Sequence, residues 1–216
     1  KKGDRYKDIA LKKSVKTAIR KKHIAIEKED LQVMRREGKG KICIIYALDA
    51  SGSMRGNKIE LCKKAGVALA FKAIQEHDEV GLIVFGSGVD KIVRPSTDFM
   101  NLLKEITTIR AKKETNIALT IKKSIEIFPG NKDITKHLII ITDGLPTHGE
   151  DPEKETLEAV NEAIFNGITV SVIGVNLDEK GKALSEKIAQ LGQGKIYIVR
   201  DLKNLDTIVL QDYYAL

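Results

Sequence analysis

Oxygen-bearing side chains interrupt an apolar run in the segment 47–58, which reads ALDASGSMRGNK. Asp49, Ser51 and Ser53 stand at alternate positions directly after the apolar run ICIIYAL, 42–48. Carboxylate and hydroxyl oxygens suit a hard cation such as Mg²⁺, whereas zinc prefers nitrogen or sulfur ligands. Asp, Ser and Gly also favour turns and helix caps. Taken alone, the segment therefore predicts either a metal-binding loop or a turn.

Two further segments supply polar side chains in a comparable position. Asp143 follows the apolar run HLIIIT, 137–142, and Thr115 stands at the start of a helical pattern in KKETNIALTI. The residues directly flanking these side chains include no His or Cys. Mg²⁺ takes octahedral oxygen geometry, keeps several waters and needs few direct protein ligands. We therefore predict a site for Mg²⁺, with Mn²⁺ as a substitute, formed by Asp49, Ser51, Ser53, Thr115 and Asp143.

The predicted ligand set leaves much of the metal's charge uncompensated. If the hydroxyls bind directly and the aspartates act mostly through water, neutral oxygens surround the ion and it stays strongly electrophilic. One coordination position then remains for an acidic group from elsewhere. We expect this position to be filled by a Glu or Asp of a protein partner.

The elements that must hold these side chains alternate between strand and helix. Apolar runs rich in β-branched residues predict buried strands at 42–48, 80–85, 137–142, 168–175 and 195–199. A Gly-Ser-Gly turn predicts a hairpin to an antiparallel edge strand at 89–94. Apolar residues at helical spacing predict helices at 58–75, 98–109, 116–128, 152–166, 179–191 and 202–214.

Strands separated by helix-length crossovers pair in parallel and place helices on both faces of the sheet. The predicted fold class is therefore α/β, with a doubly wound, mostly parallel central sheet and one antiparallel edge strand. In such sheets ligands bind outside the carboxyl ends of the strands, at the point where strand order reverses. Asp49 and Asp143 follow two of these strands, so we expect them at one edge of the sheet.

The three polar segments occur in a recognisable order. DASGS with Asp49, Ser51 and Ser53, then Thr115 in ETN, then Asp143 in TDG, resembles the von Willebrand factor A (VWA) domain with its metal-ion-dependent adhesion site. The resemblance covers about residues 41–216. It implies a Rossmann-like sheet with Mg²⁺ at its top, protein binding through an acidic ligand residue, and no catalysis by the domain alone.

The sequence departs from this family at one point and resembles one branch of it at another. Lys113 and Glu114 precede Thr115 where many members have glycines, so a carboxylate there could accept hydrogen bonds near the metal or compete for it.

The segments RYKDIALKKSVKTAIRKK and EDLQVMRREGKGKICIIYALDASGSM resemble the junction before the A domain in D-type subunits of magnesium and cobalt chelatases. That resemblance implies a cytosolic complex with an AAA-type ATPase subunit.

The basic character of the chain belongs to its first segment. The formal net charge is +7, but residues 1–41 carry +9 and the remainder −2. We predict a basic extension over 1–40 and a VWA domain over 41–216. In the extension, IAIEKEDLQV predicts an edge strand, and a helix is indicated by an apolar stripe of Leu11, Val15, Ala18 and Ile19.

The basic segment leaves three interpretations open: a solvated helix, a protein-docking element, or a nucleic-acid-binding arm. Nucleic-acid binding is the least favoured, because Tyr6 is the one aromatic residue there that could stack on a base. No apolar run approaches the roughly 20 residues of a membrane helix, and no segment has the pattern of a signal peptide. We therefore expect a soluble, cytoplasmic protein.

Common enzyme signatures are missing from the sequence. A nucleophile elbow needs Gly-x-Ser-x-Gly, whereas Ser51 lies in Asp-Ala-Ser-Gly-Ser. The segment GSMRGNK misses the spacing of a phosphate-binding loop. A metal-dependent hydrolase acting through Asp49 remains an alternative, although no second acid follows two residues later. We predict no catalytic residues and no enzyme activity for the domain by itself.

Overall fold

The chain divides into two compact units, Lys1–Gly40 and Lys41–Leu216. The structure, a computed structural model, describes residues 14–15, 21, 23, 27, 30, 40–110, 115–131, 133–200 and 202–216. In the first unit Ser14 and Val15 are helical. The rest of the predicted N-terminal helix and most of the predicted edge strand lie outside the described residues.

Three described residues of the first unit, Lys21, His23 and Glu27, contact Asp30. Glu27 and Asp30, inside the predicted edge strand, form a turn in which the Asp30 N–H donates to the Glu27 carbonyl at 3.0 Å. The Asp30 carboxylate lies 2.8 Å from Nδ1 of His23 and 3.2 Å from Nζ of Lys21. The hydrogen bond from His23 lowers the pKa of Asp30 to about 2, and the same contact raises the pKa of His23.

The second unit contains one six-stranded sheet, and its strands follow the apolar runs of the sequence. Their spatial order is β3-β2-β1-β4-β5-β6, with parallel pairing throughout except for the antiparallel β2–β3 hairpin. The strands are β1 (Ile42–Asp49), β2 (Glu79–Phe85), β3 (Val89–Ser96), β4 (Thr135–Thr142), β5 (Ile168–Val175) and β6 (Gln193–Val199). The predicted α/β class and its antiparallel edge strand are confirmed.

The described residues of the second unit form six α-helices, five between the strands and one after the last strand. They are α1 (Asn57–Gln75), α2 (Phe99–Thr107), α3 (Ile117–Ile127), α4 (Pro152–Phe165), α5 (Glu179–Leu191) and α6 (Leu205–Tyr213). Four of them begin at a side chain that accepts a backbone N–H of the first turn, as N-cap residues do: Asp98, Asn116, Asp151 and Asp178.

The central strand β1 separates two apolar layers. All eight of its residues are buried, as its unbroken apolar sequence predicts. Ile44 and Tyr46 face the layer formed with α1, α2 and α6, whereas Cys43 and Ile45 face the layer formed with α3, α4 and α5. Helices therefore cover both faces of the sheet, which confirms the doubly wound arrangement.

The packing of α1 on β1 depends on a glycine. A Cβ atom on Gly66 would lie 2.9 Å from the ring of the buried Tyr46, closer than real contacts allow. The Tyr46 hydroxyl donates to the carbonyl of Cys62 at 2.5 Å, which ties the ring to the same helix. Gly66 thus lets α1 approach the sheet closely, and α1 begins directly after the segment of Ser51 and Ser53.

Element bounds differ from the predicted ones chiefly at the chain's turns. The predicted C-terminal helix 202–214 is a short 3₁₀ helix, Leu202–Asn204, followed by α6. The edge strand continues to Ser96, two residues beyond its predicted end. No helix among the described residues is long and apolar enough to span a membrane.

Two buried carboxylates attach the end of α6 to the amino-terminal edge of the sheet. Asp212 lies 2.7 Å from Nε2 of His137 and accepts the Ser171 hydroxyl at 3.1 Å. Nδ1 of His137 has no partner in the described part of the chain, so the ring proton belongs on the nitrogen that faces Asp212. Beside this pair, Asp78 accepts the Tyr213 hydroxyl at 2.6 Å and the Ile42 N–H at 2.9 Å.

Replacing Asp212 with alanine is expected to lower the free energy of unfolding by about 3–5 kcal/mol, because it leaves buried polar partners unpaired. The neighbouring Gln211 is exposed, so Gln211→Ala should stay within about 0.5 kcal/mol of the parent chain. Urea unfolding followed by circular dichroism measures both. Equal stabilities for the two variants would show that the buried network contributes nothing.

Candidate metal centre

Asp49 ends the central strand, at the carboxyl edge where the strand order reverses between β1 and β4. Its carboxylate is fully buried. One oxygen accepts the Ser51 N–H at 2.7 Å, and the other accepts the Thr142 hydroxyl at 2.6 Å. Since Thr142 closes the adjacent strand β4, this second bond joins the two strand ends that flank the reversal.

Burial governs the acidity of Asp49. Removal from water raises the pKa of its carboxyl to about 6, and the negative charge of Asp143 acts in the same direction. The hydrogen bonds from Thr142 and Ser51 oppose this rise, because they favour the charged form. A cation beside the two carboxylates would likewise favour ionised Asp49, since opposite charges lower the pKa of an acid.

A chain of hydroxyls connects the first loop to the second carboxylate. The Ser53 hydroxyl donates to Oδ1 of Asp143 at 2.6 Å. The Ser51 and Ser53 hydroxyl oxygens lie 3.0 Å apart, within hydrogen-bond distance, and either oxygen can be the donor. The structure therefore places Asp49, Ser51, Ser53 and Asp143 close together at one edge of the sheet, where the sequence predicts them.

A lysine completes the surroundings of Asp143. The Nζ of Lys58, in the first turn of α1, donates to Oδ2 of Asp143 at 2.7 Å. The Asp143 side chain is 2% exposed and that of Lys58 is 31% exposed. Each Asp143 oxygen thus has a donor, one neutral and one positively charged.

Thr115 lies at the same edge of the sheet but outside this chain of hydroxyls. Its carbonyl accepts the Thr147 N–H at 2.9 Å, and its N–H donates to the Thr147 hydroxyl at 3.3 Å. The next residue, Asn116, donates its N–H to the carbonyl of Gly86 after β2 at 2.8 Å. Backbone contacts therefore fix Thr115 beside the loop of Asp143, whereas Lys113 and Glu114 lie outside the described residues.

The donor set fits a hard divalent cation. Hydroxyl oxygens can turn a lone pair to an ion while their protons point to a carboxylate, and the Ser53–Asp143 bond already has this polarity. Among the described residues, no group of three or more His, Cys, Asp and Glu side chains could hold a metal. The donors gathered at this edge are hydroxyl and carboxylate oxygens, and such oxygens suit Mg²⁺ or Mn²⁺ better than zinc.

Sequence reasoning missed Thr142, Lys58 and Thr147. Thr142 is the last residue of a predicted strand, and its position directly before Asp143 indicates that it lies at the same edge of the sheet. The sequence predicts that Lys58 lies on a helix, and its contact with Asp143 joins residues 85 positions apart. No local pattern reveals such a contact, because it depends on how α1 crosses the sheet.

Residues 44–211 match the family described as von Willebrand factor type A domain. The chain therefore belongs to the VWA domain family, as the order of its polar segments indicates. Domains of this family are commonly protein-interaction modules, are typically non-catalytic, and often bind a divalent metal.

Particular relatives are similar to this chain at low identity. The magnesium-chelatase 67 kDa subunit of Chlorobaculum parvum is 26% identical over 211 residues, which cover 89% of this chain and 33% of that subunit. An uncharacterized protein of Synechocystis is 29% identical over 164 residues, or 74% of this chain and 37% of that protein. The chain thus spans about a third of the length of either relative.

Solved structures share the fold. The crystal structure of BatB from Bacteroides thetaiotaomicron superposes with a TM-score of 0.67 at 22% identity, covering 81% of this chain and 98% of that one. At this identity the likeness concerns the fold alone. It supports the VWA architecture of the second unit, and the function of the site must be argued from the residues of the site.

Replacing Thr142 with valine, which keeps the shape of the side chain, is expected to destabilise the domain by about 1–3 kcal/mol, because Asp49 then loses a buried donor. Thr142→Ser retains the hydroxyl and should lose less. The free energies of unfolding in EDTA, from urea titrations, make the comparison. A serine variant as unstable as the valine variant would mean that the methyl group, and not the hydrogen bond, matters.

Proposed function

We propose that this VWA domain binds a protein partner through Mg²⁺ held at the carboxyl edge of its sheet. The observation that carries the proposal is the continuous set of hydrogen bonds from Ser51 through Ser53 to Asp143, beside the buried Asp49. The set occupies the edge at which doubly wound sheets bind their ligands. Mn²⁺ is the expected substitute for Mg²⁺.

Each residue of the site has a separate task in this mechanism. Ser51, Ser53 and Thr115 present neutral oxygens to the ion, while Asp49 and Asp143 orient waters and hold the hydroxyl protons. When bound, the metal supplies an electrophilic position for a carboxylate of the partner. Burial of Asp49 and Asp143 keeps their oxygens fixed, so the site is already ordered when the partner arrives.

The relatives and the sequence of the N-terminal segment support a particular class of partner. We infer that the chain is part of a chelatase-D-like subunit and acts in a cytoplasmic complex with an AAA-type ATPase. The similarity to the magnesium-chelatase 67 kDa subunit supports this, because it extends over 89% of the chain. The domain then contributes binding and not catalysis, and the partner contributes a Glu or Asp.

Thermal melts with EDTA and with millimolar Mg²⁺ or Mn²⁺ test the metal site. Metal at about 100 times its dissociation constant adds about 2.7 kcal/mol, which raises the midpoint of a domain of this size by roughly 5 to 10 °C. Asp49→Ala and Ser53→Ala should abolish the rise. Ser53 is exposed, so its replacement tests the site even where the loss of Asp49 prevents folding.

A matched control for the melts is Ser87→Ala. Ser87 is also an exposed serine, but it lies in the turn between β2 and β3. This variant should keep the full metal-dependent rise. A rise that persists in Ser53→Ala, or that disappears equally in Ser87→Ala, would contradict the assignment of the ion to these residues.

Partner capture can be measured by co-purifying the full chain with a candidate AAA-type ATPase subunit of its own organism. Binding is expected in Mg²⁺ and should be lost in EDTA and in Ser53→Ala, because the partner carboxylate has no ion to bind. The Ser87→Ala variant serves again as the control. Binding that survives EDTA would count decisively against a metal-mediated interface.

A further inference from the structure

We propose that Lys58 is an internal counter-ion of Asp143 that competes with the divalent metal and so lowers the metal affinity of the site. This inference rests on the proposed function, since it presumes that the ion binds between the loops of Ser53 and Asp143. It concerns a residue outside the ligand set. Its consequence is a site that is tuned to a weaker affinity than its oxygens alone would give.

The Asp143 carboxylate requires charge compensation when no metal is bound. Its side chain is almost fully buried, at 2% exposure, and a buried carboxylate needs a compensating partner. The Ser53 hydroxyl supplies a neutral donor to Oδ1, and the Lys58 ammonium supplies a positive one to Oδ2 at 2.7 Å. In the absence of metal, Lys58 therefore fulfils the electrostatic role that a cation would have.

The Lys58 side chain extends from α1 to the loop of Asp143. Lys63 and Lys72, on the same helix, pair with glutamates three and four residues away, at 2.8 and 2.9 Å. Lys58 instead contacts a carboxylate from the other side of the site. It does so from the first turn of α1, where the helix dipole disfavours a positive charge. The contact with Asp143 is thus what stabilises a lysine at this position.

A divalent ion at the site would compete with the Lys58 ammonium for Asp143. An ion close to Asp143 would stand near the ammonium, and two positive charges sharing one carboxylate repel each other. Because the Lys58 side chain is 31% exposed, its ammonium can turn to solvent when the ion binds. Exchanging one cation for another costs the charge-assisted Lys58–Asp143 bond, so metal binds less tightly than it would without the lysine.

The experiment compares Lys58→Met with Lys58→Arg and Lys63→Met in the full chain. Mn²⁺ binding is measured by isothermal titration calorimetry, and thermal midpoints are measured in EDTA and in Mg²⁺. We expect Lys58→Met to bind Mn²⁺ about tenfold more tightly, the effect of losing one charge-assisted hydrogen bond. It should also melt earlier than the wild type in EDTA, because Asp143 lacks its counter-ion, and gain more from Mg²⁺.

The controls separate charge from shape. Lys58→Arg keeps the positive charge and should bind Mn²⁺ nearly as the wild type does. Lys63→Met removes a lysine that pairs with Glu60 and should change neither the affinity nor the Mg²⁺-dependent shift. Together they exclude a general effect of removing positive charge from α1.

The outcomes distinguish the two proposals. Tighter Mn²⁺ binding by Lys58→Met, but not by the controls, supports the competition. If the wild type binds Mn²⁺ and Lys58→Met binds it with equal or weaker affinity, the competition by Lys58 is overturned. The proposed metal site is then still supported. If neither protein binds Mn²⁺ or Mg²⁺ at millimolar concentrations, the proposed metal site fails, and the role of Lys58 fails with it.

Discussion

The Asp49 carboxylate is buried at the end of the central strand, and both of its oxygens accept short hydrogen bonds. A charged group there is tolerable only if the surrounding donors stay in place. The strand reversal provides them: β4 returns beside β1 and brings the Thr142 hydroxyl, while the turn after β1 brings the Ser51 N–H. The arrangement of Ser53, Asp143 and Lys58 depends on this fixed point, because their loops leave from the same two strands.

Much of the fold could be predicted because its signals are local. The bounds of β5 and α5 coincide with the predicted segments 168–175 and 179–191, since an apolar run ends at polar residues and Asp178 caps the next helix. The sequence predicts that the loops of Asp49 and Asp143 meet, because the carboxyl ends of parallel strands share one edge of the sheet. Their meeting is thus a consequence of topology, which the alternation of strands and helices makes evident.

The contacts that sequence reasoning missed are long-range and depend on geometry. Lys58 has nothing in its local pattern to separate it from other helical lysines, and its contact with Asp143 depends on how α1 packs on the sheet. The network of His137 and Asp212 is hidden for the same reason, since it joins residues 75 positions apart. Side-chain pairs of this kind follow from tertiary packing and not from periodicity.

The two edges of the sheet differ in character. At the amino-terminal edge Asp212 and Asp78 connect α6 to β1, β4 and β5 through buried hydrogen bonds, whereas the carboxyl edge consists of loops. We therefore expect amide hydrogen exchange to proceed at different rates at the two edges of the sheet. We expect the buried amides of β1 and of the end of α6 to exchange more slowly than those of the loops. The fold thus places its most extensive buried polar network at one edge of the sheet and its polar loops at the other.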